Sequence, residues 1–187
     1  GTLLQLYGHD VVIWSRHPSE NLGPEIDRQR RILQRKLEVA GTPGTLCVVD
    51  QLIELESALT IEALSEDLYI KRAVVGGLPY DPALRGLLTN TSSLPPPQIH
   101  PAARGLHFFN PVFAMKMVEL AGTRDALLPL ERELIECLEQ NDFDVIETQG
   151  NPGYVANYVL FREIGAVLRL IDDFGYRPEV IERVLKH

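Results

Sequence analysis

Several things are scarce in this sequence, and each scarcity excludes something. There is no basic excess. Acidic residues outnumber basic ones 26 to 18, for a net charge of -8. That argues against a general nucleic-acid binder, which carries a basic face, and gives no reason to expect an anionic membrane surface as partner. No apolar run approaches the roughly 20 residues that a membrane helix needs, and no signal-peptide pattern opens the chain. The two cysteines, Cys47 and Cys137, have no metal-type spacing. No metal site is expected, and a reducing, cytoplasmic setting is the plain reading. Internal repeats and low-complexity tracts are also absent.

What is present is an ordinary globular composition over 187 residues, enough for one domain or for one domain and part of another. The chain opens on the end of an apolar helix (Leu3, Leu4, Leu6) and a stop at Gly8. A strand follows at Val11, Val12 and Ile13, apolar on both faces as in a buried parallel sheet. A long amphipathic helix is expected over roughly 24–40, a strand at TLCVV and a short helix at DQLIELES. Further strands are expected at ALTIEAL, GLLTNTSS, RGLHFFN, KMVELAG and DVIETQ, and helices at EDLYIKRAVVGGL and LLPLERELIECLEQN. PPPQIH reads as a rigid turn or short helix start, and Asn110-Pro111 as a bend between two strands. After about residue 150 the pattern is helical only, over 152–174 and 177–186. Strands alternating with helices imply an α/β fold, a mostly parallel sheet covered on both faces. The expected division is an α/β domain over 1–150 and the start of an all-α domain over 151–187.

Some residues do not suit their surroundings. His107 and Glu119 interrupt apolar strands twelve positions apart. Two adjacent strands joined by a bend would bring them face to face as a base and its orienting carboxylate. A satisfied core histidine and an edge glutamate would give the same letters. LTNTSSL, with Asn90 and Ser92, ends a strand where open α/β sheets bind ligands, or is a capped turn. Glu62 ends a strand, and Glu66 and Lys71 open a helix at the same sheet edge. Acids in a first turn also simply complement the helix dipole. Ser15 and Arg16 end the first strand, where an acid binds an adenosine 2′-hydroxyl and an arginine accommodates a 2′-phosphate; a surface loop is the alternative. RQRRILQRK is a solvated helix face or a handle for a polyphosphate such as coenzyme A. Asn157 is an amide on an otherwise apolar helix and needs a partner if buried.

The stretches EALSEDLYIKR, TNTSSL, GLHFFNPVFAMKMVEL and NPGYVANYVL occur in that order. Together they make the chain resemble the short-chain L-3-hydroxyacyl-CoA dehydrogenase family over nearly its whole length. The resemblance implies a Rossmann-like fold and oxidation, or the reverse, of a 3-hydroxyacyl-CoA by a nicotinamide cofactor. It makes His107 the base that takes the hydroxyl proton and Glu119 the group that orients it. Ser92 becomes the hydroxyl touching substrate and nicotinamide, and Asn157 the amide near the substrate carbonyl. Glu66 and Lys71 become residues lining the cofactor, with Asn90 in the same loop. The cofactor is expected to be NAD. Ser15, where the family has a ribose-binding aspartate, with Arg16 beside it, leaves NADP open.

The family's first strand and GxGxxG loop have no counterpart in this text, in which Gly1 falls within the first helix. The chain is therefore expected to be truncated at both ends relative to the family, with a homodimer in the full-length enzyme. AGTPGTLC is shorter than the family's helical insert, so no coenzyme A contacts carry over. Two rivals remain: a same-fold dehydrogenase of a free hydroxyacid or carrier-bound hydroxyacyl group, and a non-catalytic remnant.

Overall fold

The computed structural model describes residues 1–15, 22–37, 41–55 and 57–186. In chain order the elements are α1 (Thr2–Leu6), β1 (Val11–Trp14), α2 (Leu22–Lys36), β2 (Leu46–Val49), β3 (Thr60–Glu62), α3 (Leu68–Gly76), α4 (Pro82–Arg85), β4 (Leu87–Thr89), α5 (Pro96–Ile99), β5 (Ala103–Phe108), α6 (Val112–Met115), β6 (Met117–Ala121), α7 (Pro129–Gln140), β7 (Asp144–Thr148), α8 (Ala156–Phe174) and α9 (Pro178–Leu185). The expected α/β architecture is present. Among the described residues parallel pairing joins β1 to β2, β3 to β4, β4 to β5 and β6 to β7, and only β5–β6 is antiparallel.

Several elements differ from the sequence expectation. Two sheets form among the described residues, a β1–β2 pair and a five-stranded β3-β4-β5-β6-β7 sheet. What joins them is side-chain packing: Leu3 and Leu6 of α1 and Leu33 and Leu37 share one core with Leu88, Leu106 and Leu120. DQLIELES keeps only a 3-10 turn, Leu52–Glu54, and ALTIEAL pairs only over Thr60–Glu62. Two short helices were not anticipated, α4 and α6. α4 carries its own signals, an Asp81 cap on the Ala83 amide and Pro82 in the first turn, where a missing N–H costs nothing. α8 starts at Ala156 rather than at Pro152, behind a four-residue turn, and stops at Gly175 with φ 66°.

Strand alternation decides what each face carries. On β5, Leu106 lies in the main core with Leu134, Ile135 and Leu138 of α7, and Phe108 packs against that core. Ala103 faces the other way, into a smaller cluster with Val75 of α3, Leu87 and Ile99 of α5. Gly105 and His107 share the Ala103 face. On β6, Val118 and Leu120 belong to the main core, so Glu119 and Ala121 face the Gly105–His107 side. The register pairs Gly105 with Ala121 and His107 with Glu119. Two small residues and two polar ones thus form a shallow floor on the face away from the main core.

α8 has no buried residue. Tyr158, Phe161, Leu168 and Phe174 are each half exposed or more, leaving an uncovered apolar stripe. No helix among the described residues is long and apolar enough to cross a membrane.

Candidate functional site

The floor is roofed by the turn that leads into α8. Gly153 (φ 79°) and Tyr154 (φ 51°) are consecutive left-handed residues; the second is uncommon for a side chain of this size. This backbone path aims the Val155 and Ala156 amides at Glu119 Oε1, both at 2.9 Å. The other carboxylate oxygen, Oε2, lies 2.8 Å from His107 Nδ1. Glu119 is 1% exposed and His107 6%, so both oxygens of a buried carboxylate are satisfied. Glu119 thereby takes up amides at the start of α8 that have no partner within the helix.

A carboxylate only accepts, so in the neutral imidazole this bond places the proton on Nδ1 and leaves Nε2 with its lone pair. Nε2 has no hydrogen-bond partner among the described residues. Phe109 packs against the imidazole at 4.6 Å and Tyr154 stacks on it at 5.2 Å, inclined by 21°.

Tyr154 and Gly105 were not singled out in the sequence, and they belong together. A Cβ at position 105 would collide with the Tyr154 hydroxyl and crowd the Ala121 methyl; only glycine lets the phenol lie over the floor. The Tyr154 hydroxyl is buried with no partner among the described residues. Burial, then the charges of Glu119, Glu66 and Glu62, raise its pKa well above the usual phenol range. It therefore stays protonated. Removing it in Tyr154→Phe keeps the stack and relieves a buried unsatisfied group, so stability should rise by about 1–3 kcal/mol. Urea unfolding measures this, and an unchanged midpoint would mean that the hydroxyl has a partner.

Ser92 lies beside this roof. The parallel register pairs Thr89 with Gly105, which sets residues just past Thr89 level with His107. Asn157, one residue beyond the Glu119-binding amides, donates from Nδ2 to the Ser92 carbonyl at 3.2 Å. On the other side Glu66 Oε1 accepts from the Ser92 amide (3.0 Å), the Ser93 amide and hydroxyl (both 2.8 Å) and Thr91 Oγ1 (2.5 Å). Partial burial pushes the Glu66 carboxyl up, but these hydrogen bonds and the Lys71 charge outweigh it and bring it to about 2. Its folded value lies below the usual 4.5. Ionised Glu66 thus contributes stability that is full above about pH 4.5 and lost as pH falls toward 2. Glu66→Gln should lose less stability than the parent across that interval, read from denaturant midpoints. Parallel curves would contradict the tie.

The remaining expected site residues fall as follows. Asn90 Oδ1 accepts the Phe108 amide at 2.9 Å and so links the end of β4 to the His107 strand. Lys71 is 1% exposed and bonded to Glu62 at 2.8 and 3.0 Å. Its ammonium is enclosed as an internal counter-ion between Glu62 and Glu66. Ser15 follows β1 in the other sheet and makes no hydrogen bond to this cluster among the described residues. Arg16 lies outside the described residues. Three or more side chains able to hold a metal do not converge among the described residues. A cleft lined by Ser57, Leu84, Arg85 and Leu128 opens at the amino ends of β3 and β4 and shares no residue with the site.

With this geometry in hand, comparison with known proteins is specific. The sequence pattern of a family described as "3-hydroxyacyl-CoA dehydrogenase, NAD binding domain" matches residues 25–143. The chain is 30% identical over 161 residues to a probable 3-hydroxybutyryl-CoA dehydrogenase of Bacillus subtilis (strain 168), covering 80% of this chain and 55% of that protein. It is 28% identical over 201 residues to the 3-hydroxybutyryl-CoA dehydrogenase of Clostridioides difficile, covering 96% of this chain and 69% of that one. The crystal structure of 3-hydroxybutyryl-CoA dehydrogenase from Escherichia coli K12 superposes with a TM-score of 0.74 at 28% identity, covering 96% of this chain and 41% of that one. The chain thus spans between two fifths and seven tenths of the length of these relatives.

Proposed function

This chain belongs to the 3-hydroxyacyl-CoA dehydrogenase family, and from that premise we propose that it serves hydride transfer between C3 of a 3-hydroxyacyl-CoA and NAD. The observation that carries the reading is the His107 Nδ1–Glu119 Oε2 bond of 2.8 Å, with Nε2 left as a lone-pair acceptor. Oxidation of the 3-hydroxyl removes a hydride from carbon and a proton from oxygen, and His107 Nε2 takes the proton. Nδ1–H holds the ring in the neutral tautomer that can accept it, and the Glu119 charge stabilises the imidazolium that results. Ser92 presents its hydroxyl to the same space, and Asn157 holds the Ser92 carbonyl and lies near the substrate carbonyl.

A nicotinamide suits this place. Half-buried Ser92 and partly exposed Glu66 stand at the carboxyl ends of β3 and β4 with His107 on the neighbouring strand, where open α/β sheets bind such ligands. When bound, the ring accepts or returns the hydride. Ser15 at the end of β1 leaves room for NADP as well as NAD. A homodimer of the full-length enzyme is the assembly that the family resemblance implies. The free thiols of Cys47 and Cys137 suit a reducing, cytoplasmic setting, and an acyl-CoA substrate suits a place in fatty-acid metabolism.

The test is turnover of acetoacetyl-CoA with NADH by the purified chain, beside free acetoacetate and an acyl-carrier-bound ketone, with NADH binding followed by fluorescence. Turnover of the coenzyme A ester alone is expected. Activity confined to the free acid or the carrier-bound group would move the substrate assignment. Neither binding nor turnover would make the chain a non-catalytic member of the family.

A further inference from the structure

Three ionisable side chains beside the dyad play no part in the proton transfer, yet they are the most thoroughly tied groups in the site. We propose that Glu62, Lys71 and Glu66 form a positioning chain that sets the Ser92 hydroxyl for hydride transfer. This rests on the role given to Ser92 above. The chain starts in the floor: Glu62, 5% exposed, accepts from Thr89 Oγ1 at 2.6 Å and from the Leu64 amide at 2.5 Å. Its carboxylate is thereby locked to β3 and β4.

The Lys71 ammonium donates to both Glu62 oxygens and to the Leu64 carbonyl at 3.1 Å, and forms an ion pair with Glu66 Oε2 at 3.4 Å. Glu66 then gathers Thr91, Ser92 and Ser93 round its other oxygen. With the Ser92 amide on Glu66 and its carbonyl on Asn157, the direction of the Ser92 side chain is set from both sides. Its hydroxyl lies 3.5 Å from Glu66 Oε1, long enough to leave it free for another acceptor. Two carboxylates around one buried ammonium are a poor source of stability compared with apolar packing. Orientation is what this arrangement supplies.

The experiment uses Lys71→Met, Glu66→Gln and Glu66→Leu. Glu62→Gln/Lys71→Met is included as well, because it keeps the acceptor for Thr89 while removing one of the carboxylates that Lys71→Met leaves unpaired. Amide hydrogen exchange at Ser92 and Ser93 is measured together with kcat and KM. Exchange there should quicken about tenfold or more. By the cost of misplacing a reacting group by about an ångström, kcat should fall about 10–100-fold with KM nearly constant. Glu66→Leu should be worse than Glu66→Gln, which keeps an acceptor oxygen. Parental exchange rates in folded variants would overturn the proposal. So would a rise in KM at constant kcat, which would make these residues ligand contacts. If the parent turns over no hydroxyacyl thioester, the functional reading fails, while the exchange data still decide whether the chain orients the loop.

Discussion

Replacing His107 by Gln should lower kcat by about 10³–10⁴-fold while NADH affinity stays within a few-fold of the parent. The loss is the upper part of what a positioned general base contributes. Glutamine is the informative replacement because its amide N–H can still donate to Glu119 Oε2, which accepts from His107 Nδ1 in the parent at 2.8 Å. The buried carboxylate is not orphaned, the α8 turn keeps its anchor, and the fold survives. What disappears is the Nε2 lone pair on which the proposed proton transfer depends. Steady-state turnover of acetoacetyl-CoA with NADH, beside an NADH titration, separates the two effects. Undiminished kcat would remove His107 from the chemistry.

Replacing Glu119 by Gln should lower kcat by about 10²–10³-fold for a different reason. Two donors, the Val155 and Ala156 amides, converge on Oε1, and one, His107 Nδ1–H, on Oε2. A glutamine has one acceptor and one donor end. Its oxygen satisfies the two amides best, which turns its NH2 toward Nδ1. The imidazole then carries its proton on Nε2, and the base is blocked by the wrong tautomer. The helix N-terminus also loses a charge it favours, a further cost of about 1 kcal/mol in stability. Imidazole nitrogen shifts by NMR report the tautomer directly. A variant with Nδ1 still protonated and full activity would show that Glu119 does no more than pack.

The fold class and the dyad were legible because they rest on signals that survive in text: hydrophobic periods, and a histidine and a glutamate breaking them inside a family-like stretch. Ser92 and Asn157 stood out by the same family-like stretches, but their mutual bond joins residues too far apart in sequence for spacing to reveal. Tyr154 was not legible. Its letter is an ordinary aromatic at the start of an apolar helix, and its importance lies in a positive φ and in a glycine forty-nine positions earlier that makes room for it. Lys71 shows the opposite case. Its letter suggested a charge for a ligand, but burial at 1% exposure turns it inward. α4 could have been read from Asp81-Pro82, a cap followed by a first-turn proline, while α6 lies in apolar text with no comparable cap.

The direct pairing of His107 with Glu119 across β5 and β6 has a consequence for how this chain can change over generations. What keeps the two side chains together is the parity of the ladder, not the number of residues between them. Insertions or deletions anywhere from Asn110 to Lys116 leave the pair intact provided the strands re-register on Gly105–Ala121. A shift of one residue turns the side chains of the slipped strand to the opposite face and parts the pair. The connecting segment is thus open to drift in length, whereas a single added residue inside either strand would silence the site.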